Sequence, residues 1–116
     1  GAARALFVGP DADLQWDQLP SVAVYRGHLA DNITGTSNAG ATIHATGVKA
    51  DHDAFGRSRG GPDGRDLVDA EGQPLSVAHQ AMRAGIPVGL VQSGISSEPG
   101  TACFVTAVEK RSDHEQ

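Results

Sequence analysis

Three short apolar runs alternate with segments of helical spacing, and this order constrains the fold more than any other feature. The runs are rich in β-branched, aromatic or other apolar residues, and Gly, Pro or Ser stands at their ends. Each run therefore predicts a buried strand, over residues 4–8, 21–26 and 86–91.

Helical spacing is found in three further segments. Residues 38–46 predict a short helix that stops at Gly47, and residues 75–84 predict a second helix before Gly85. An apolar stripe predicts a third helix over residues 101–111.

The alternation of strands and helices predicts an α/β fold. We expect one segment over residues 1–116, with a mostly parallel sheet and crossover helices. In such sheets, ligands bind in the loops beyond the carboxyl ends of the strands. Two loops are therefore candidate sites: the one before helix 38–46 and the one after strand 86–91.

Composition narrows the function classes. The chain has 15 Gly residues, and the cluster within residues 51–74 predicts a long, mobile polar connection. A formal net charge of −5 argues against sequence-independent binding of nucleic acid. No apolar run approaches the roughly 18 residues that a membrane helix needs, so no membrane partner is expected. Cys103 is the single cysteine, which excludes an internal disulfide and favours a small core residue.

Ser37, in the stretch "TSNAGAT", has two interpretations. It can be the N-cap of the following helix, where its hydroxyl would accept a backbone N–H. It can also be a nucleophile, because a helix N-terminus offers unpaired donors and a partial positive charge to an anion. The small residues Asn38, Ala39 and Gly40 leave room for a tetrahedral anion to approach the backbone.

Two charged residues also have alternative interpretations. Glu98 in "SSEPGTACF" can be a first-turn acid that the helix dipole favours, or a carboxylate ligand for a hard cation. Arg111 can be a solvated residue of a last helical turn, or a guanidinium fork that binds phosphate. The five His residues show neither HxH nor HExxH spacing and are predicted not to bind metal.

The order of these motifs resembles the N-terminal part of a bacterial alkaline phosphatase. The resemblance covers about residues 4–111, and its most specific pieces are "TSNAGAT" before "ATGVK" and "EPGTACF" before Arg111. It implies part of the family's α/β sandwich and hydrolysis of small phosphate monoesters with two zinc ions and a magnesium-type site. It also implies a periplasmic or secreted location, and it leaves open a second chain or a homodimer that completes the fold.

The resemblance also assigns site residues. Ser37 matches the serine that forms a phosphoseryl intermediate and also contacts metal, and Arg111 matches the arginine that clamps phosphate. Asn38, next to Ser37, is expected to help bind phosphate. Glu98 stands where the family has an acidic residue or His near the third metal.

The sequence departs from the family pattern at several points, one of which is Thr36, where many relatives have Asp. The first strand does not run into the family's "GDGMG" motif, and Gly100 stands where relatives often have a metal-binding Thr. The family's later metal ligands are also expected to be absent from this chain. An active enzyme, a non-catalytic truncated remnant with a weak anion cradle, and a small structural domain of the same descent therefore remain alternatives, and we expect the isolated 116-residue chain to be inactive.

Overall fold

The computed structural model describes residues 7–9 and 13–112. Within them, a short 3₁₀ helix at Gln15–Gln18 precedes three α-helices: α1 at Ser37–Thr46, α2 at Val77–Arg83 and α3 at Pro99–Ala102. Helix α1 contacts both α2 and α3, so these two helices are arranged around it.

Helix α1 separates two small apolar clusters. Ala39 and Ile43 pack into the first cluster, and Ala45 packs into the second. The remaining buried members are Leu29, Ala50 and Ala54 in the first cluster and Phe55, Ala102 and Cys103 in the second. Gly47 ends the helix in a left-handed conformation (φ 73°), and its N–H donates to Ile43 O. The predicted helix over 38–46, its glycine stop and the buried position of Cys103 are confirmed.

A buried hydroxyl joins α1 to the segment that follows it. Thr42 Oγ1 lies 3.0 Å from Asn38 O and 3.1 Å from Ala54 O, and it accepts the Gly56 N–H at 2.8 Å. Gly56 has a φ of 71°, and a Cβ there would lie 2.3 Å from Thr106 O. Only glycine allows this close approach of two backbone segments.

The Gly-rich connection 51–74 is folded into successive turns. Asp51 N donates to Ser58 O, and Ser58 N donates to Arg65 O. Isolated antiparallel bridges join Arg57 to Asp66 and Val68 to Pro74. Its mobility remains a prediction.

The predicted α/β fold with a mostly parallel sheet is wrong for the described residues, which form isolated bridges and no sheet. Segments 21–26 and 86–91 contain no strand, and among the described residues no backbone hydrogen bond joins either one to a neighbouring strand. Their apolar side chains face solvent: Val22 is 99% and Val91 is 96% exposed. β-branched residues favour a strand only where neighbouring strands and a packed face accept them.

The first predicted strand is only partly described. Phe7 and Val8 are exposed and are not part of a strand. Residues 4–6 lie outside the described residues.

The two later helix predictions have different outcomes. The helix over 75–84 is confirmed as α2, with Ser76 as N-cap accepting the His79 N–H. The helix over 101–111 is wrong, because α3 ends at Ala102 and the chain then turns. Val108 N donates to Phe55 O at 3.1 Å, so pairing with a distant segment prevails over the local apolar stripe.

Candidate functional site at the N-terminus of α1

Ser37 occupies the first position of α1 and is not its cap. Thr36 is the N-cap, with its Oγ1 accepting the Ala39 N–H at 3.4 Å. The interpretation of Ser37 as N-cap is therefore wrong by one residue. The Ser37 residue is exposed at the end of the helix where the first N–H groups point outward.

Arg111 contacts the two other principal residues predicted from the sequence, Ser37 and Glu98. Its Nη1 lies 3.5 Å from Ser37 Oγ, and its Nη2 forms an ion pair with Glu98 Oε2. The side chains of Arg111 and Glu98 are partly exposed. The guanidinium thus joins the start of α1 to the residue that precedes α3.

Backbone pairing after α3 places Arg111 there. The bridge between Phe55 and Val108 fixes this segment against the connection 51–74. One residue further on, Glu109 O accepts the Gly61 N–H at 2.8 Å. Arg111 follows two residues later, after a bend at Glu109 and Lys110, and it contacts Ser37 at the start of α1 although the predicted helix does not form.

Asn38, the fourth predicted residue, is buried beside Ser37. It is only 8% exposed, and its Oδ1 has no hydrogen-bond partner among the described residues. A buried oxygen without a donor costs about 1–3 kcal/mol of stability. The amide oxygen of Asn38 is therefore an unsatisfied polar atom next to the candidate nucleophile.

A cleft of about 870 Å³ opens beside these residues. Thr36, Ser37, Asn38, Lys110 and Arg111 form one part of its lining. Another part consists of charged residues on and near the connection, namely Asp31, Asp51, His52, Asp53, Arg59 and Asp63.

His52 lies between two carboxylates of this lining. Its Nδ1 is 2.9 Å from Asp31 Oδ2, and its Nε2 is 3.6 Å from Asp53 Oδ2. The hydrogen bond with Asp31 raises the pKa of His52, with further contributions from the charges of Asp53, Asp31 and Asp51. The same hydrogen bond lowers the pKa of Asp31.

The sequence interpretation missed this charged lining. The triplet Asp51-His52-Asp53 was visible, but its spacing matches no metal-binding motif. Asp31 lies about twenty positions before the triplet, and only the fold brings it to His52. Alternating acid and His at the start of a Gly-rich loop was the available signal.

The described residues do not fit a metal site by themselves. They contain no group of three or more His, Cys, Asp or Glu side chains arranged to hold a metal ion. Of the predicted ligands, Glu98 is engaged by a guanidinium and Ser37 is a neutral hydroxyl next to the same cation. Two such ligands are fewer than a zinc or magnesium site uses.

A hydroxyl at a helix N-terminus with a guanidinium beside it is suited to hold a tetrahedral oxyanion.

The family model for alkaline phosphatase matches residues 2–116, and the chain therefore belongs to the alkaline phosphatase family. The resemblance seen in the motifs is confirmed. The family acts generally on phosphate monoesters, depends generally on zinc and magnesium, and is typically periplasmic or secreted.

The other comparisons add no relative. Neither the comparison with curated proteins nor that with solved structures gave a significant match. Among the helices of the described residues, none has the length and apolar character needed to cross a membrane.

Proposed function

We propose that this chain supplies the nucleophile and the phosphate cradle of a phosphomonoesterase that works through a phosphoserine at Ser37. The observation that carries the proposal is the contact of Arg111 with both Ser37 and Glu98 at the N-terminus of α1. Family membership supports the reaction class.

The reaction has two displacements at phosphorus. Ser37 Oγ attacks the phosphorus and loses its proton to solvent, and the bond from phosphorus to the leaving oxygen breaks. The leaving oxygen takes the electron pair and then a proton from water. A second water attacks the phosphoserine, the bond to Oγ breaks, Ser37 regains a proton and inorganic phosphate leaves.

The surrounding groups hold the phosphoryl oxygens in both steps. The Arg111 guanidinium can form two charge-assisted hydrogen bonds with a phosphate once it releases Glu98. The first N–H groups of α1 and the Asn38 amide are the further phosphate-binding groups of the proposal. Interactions of this kind accelerate a reaction when they are stronger in the transition state than in the bound substrate.

Zinc and magnesium belong to the proposal only as the cofactors of the family. Ser37 and Glu98 stay predicted as metal ligands, and Glu98 can bind a cation only when Arg111 releases it. Ligands from outside the described residues would have to complete each site, and a second chain or a homodimer is the proposed source. A periplasmic or secreted location for this chain is likewise proposed from the family.

The alternative function is a non-catalytic remnant that binds phosphate weakly and no metal. The lack of a metal-binding group among the described residues favours it. Metal analysis of the purified protein separates the two functions, because an enzyme contains near-stoichiometric zinc and a remnant does not.

The test of the proposal uses the zinc- and magnesium-loaded protein with any partner chain that copurifies. We expect turnover of an aryl phosphate at alkaline pH and, after quenching in acid, a gain of one phosphoryl group in the intact mass of this chain. Ser37→Ala should abolish both signals, while Ser21→Ala, at an exposed position outside the cleft, should leave them unchanged. Undiminished turnover in Ser37→Ala would remove Ser37 from the nucleophile role.

A further inference from the structure

We propose that a second cavity, beside α2, binds a small neutral molecule that has an apolar body and a hydrogen-bond donor. The volume of this cavity is about 370 Å³, which is within the range of small-molecule sites. It shares no lining residue with the cleft at Ser37. The inference therefore does not depend on the proposed phosphatase function.

Backbone contacts hold the apolar lining of this cavity in place. Leu75 N donates to Leu67 O at 2.9 Å, and an isolated bridge joins Val68 to Pro74. The segment after α3 supplies the remaining apolar side chains. The six apolar lining residues are Leu67, Val68, Pro74, Leu75, Val105 and Ala107. The apolar body of a ligand would leave water against these side chains, which favours binding.

The hydrogen bonds of Ser76 determine where the His79 ring carries its proton. Ser76 Oγ lies 2.6 Å from Phe104 O, which can only accept, so the single hydroxyl proton is donated there. The same Oγ accepts the His79 backbone N–H at 3.3 Å. His79 Nδ1 is 2.8 Å from Oγ and must therefore be the donor of that contact. In the neutral imidazole, Nε2 is then unprotonated and acts as an acceptor.

His79 differs from the other buried or half-buried polar side chains of the lining. Thr46 Oγ1 donates to Thr42 O at 2.8 Å, and Cys103 Sγ lies 3.6 Å from Thr42 Oγ1. The hydroxyl of Ser76 is fully used by Phe104 and His79. His79 Nε2, in contrast, has no hydrogen-bond partner among the described residues. A ligand that donates a hydrogen bond would complete the ring.

The exposed polar side chains of the lining do not favour an anion. Asp66 is the only acidic or basic side chain of the described lining besides His79, and Arg57 Nε lies 3.1 Å from its Oδ1 and offsets its charge. Thr106 adds a hydroxyl that can donate or accept. No lysine or arginine belongs to this lining. A neutral donor such as a hydroxyl or an indole N–H therefore suits the cavity better than a phosphate or a carboxylate.

The experiment compares three probes that share a tolyl group. The whole 116-residue chain, labelled with ¹⁵N, is titrated with p-cresol, 4-methylanisole and 4-methylbenzoate. At about pH 8 these probes carry a neutral hydroxyl donor, an ether acceptor and an anionic carboxylate. We expect p-cresol to bind about threefold to tenfold more tightly than 4-methylanisole, as one net hydrogen bond implies. 4-Methylbenzoate should bind most weakly, and the amide shifts should include those of Leu75 and Val105.

The ring nitrogens of His79 give a second, independent measurement. A long-range ¹H–¹⁵N spectrum of the neutral ring should show a protonated Nδ1 and an unprotonated Nε2, and p-cresol should shift the Nε2 resonance. His79→Asn keeps an amide donor for Ser76 Oγ and removes the Nε2 acceptor, so the preference for p-cresol should disappear. His44→Asn makes the same change at an exposed residue of α1 outside the cavity and should leave the preference intact.

The contrary outcomes are distinct. Equal affinities for p-cresol and 4-methylanisole in the wild type, or a preference that persists in His79→Asn, would overturn the role of His79 as the acceptor. A ring that is protonated at Nε2 in the free protein would overturn the hydrogen-bond assignment on which that role rests. An absence of binding by all three probes would overturn the site itself and would leave the phosphate cradle at Ser37 standing.

Discussion

Arg111 Nη1 lies 3.5 Å from Ser37 Oγ, although 74 positions separate the two residues in the chain. This distance is at the outer limit of a hydrogen bond, and the same guanidinium also pairs with Glu98. The contact exists because the segment after α3 pairs with Phe55 instead of continuing as a helix. The guanidinium is thus already positioned at the helix N-terminus by protein contacts alone.

Replacing Arg111 should weaken phosphate binding more than replacing another exposed arginine. Arg111→Ala removes a charged donor and should raise the dissociation constant of inorganic phosphate about tenfold or more. Arg111→Lys should fall between the wild type and Arg111→Ala, because Lys keeps the charge and loses the planar fork. NMR titration of the chain with phosphate measures both.

The control for this prediction is Arg65→Ala, which removes an exposed arginine that does not line the cleft. The dissociation constant of inorganic phosphate for this control variant should match that for the wild type. An unchanged constant in Arg111→Ala would contradict the assignment of Arg111 as the phosphate clamp.

Local patterns predicted the elements whose determinants are local. The small residues of α1 and the glycine after it are sufficient for a short helix with a left-handed stop. The choice between Thr36 and Ser37 as cap was not predictable, because both carry a hydroxyl that can accept a first-turn N–H. The sheet failed for the opposite reason: Val22 and Val24 have strand preference, but a strand also requires partners that composition does not specify.

The candidate site was predictable only in part, because some of its contacts depend on the tertiary fold and have no local sequence signal. Ser37, Glu98 and Arg111 were named through the family motifs, and the structure brings them together. The contact between His52 and Asp31 depends on how the chain returns after α1. No local spacing encodes that return, so the charged lining could not be derived from the sequence.

Thr42→Val should destabilise the fold. The substitution keeps the shape of the side chain and removes the hydroxyl that accepts the Gly56 N–H and lies within reach of Ala54 O. Because these groups lose a partner in or near the core, we expect a loss of about 1–3 kcal/mol in the free energy of unfolding. Chemical denaturation followed by circular dichroism gives this value.

Thr34→Val is the matched control, because Thr34 is exposed and outside both apolar clusters. Its free energy of unfolding should stay within about 0.5 kcal/mol of the wild type. Equal stabilities of the two variants would show that the Thr42 hydroxyl does not join α1 to the connection.

The Asp31–His52 pair should stabilise the fold in a defined pH window. The raised pKa of His52 contributes stability that is complete below the unfolded pKa and is lost as the pH rises through the folded pKa. The lowered pKa of Asp31 contributes stability above its unfolded pKa, which is lost as the pH falls through the folded value. The contribution is therefore greatest between about pH 4 and pH 6.5.

Asp31→Asn tests this window, because the amide oxygen can still accept the His52 backbone N–H, which lies 2.9 Å from Asp31 Oδ1. In this variant the NMR titration midpoint of the His52 ring should fall, and its deficit in stability should be largest inside the window. Glu71→Gln, in which the removed carboxylate lies outside the cleft, should leave the midpoint unchanged. A midpoint that does not move in Asp31→Asn would contradict the pairing.

The isolated 116-residue chain should show negligible phosphatase activity even with added zinc and magnesium. Among the residues that the structure describes, the predicted metal ligands are Ser37 and Glu98, and Glu98 is held by Arg111. A serine hydroxyl without a base or a metal is a weak nucleophile. The dipole of α1 supplies about 0.3–2 kcal/mol, whereas enzymes lower their barriers by about 8 kcal/mol or more.

The measurement is the release of aryl alcohol by the mass-verified chain, alone and with any partner that copurifies. Zinc-dependent turnover by the chain alone, abolished by a chelator and by Ser37→Ala, would show that fewer ligands suffice than the two-metal chemistry of such sites requires.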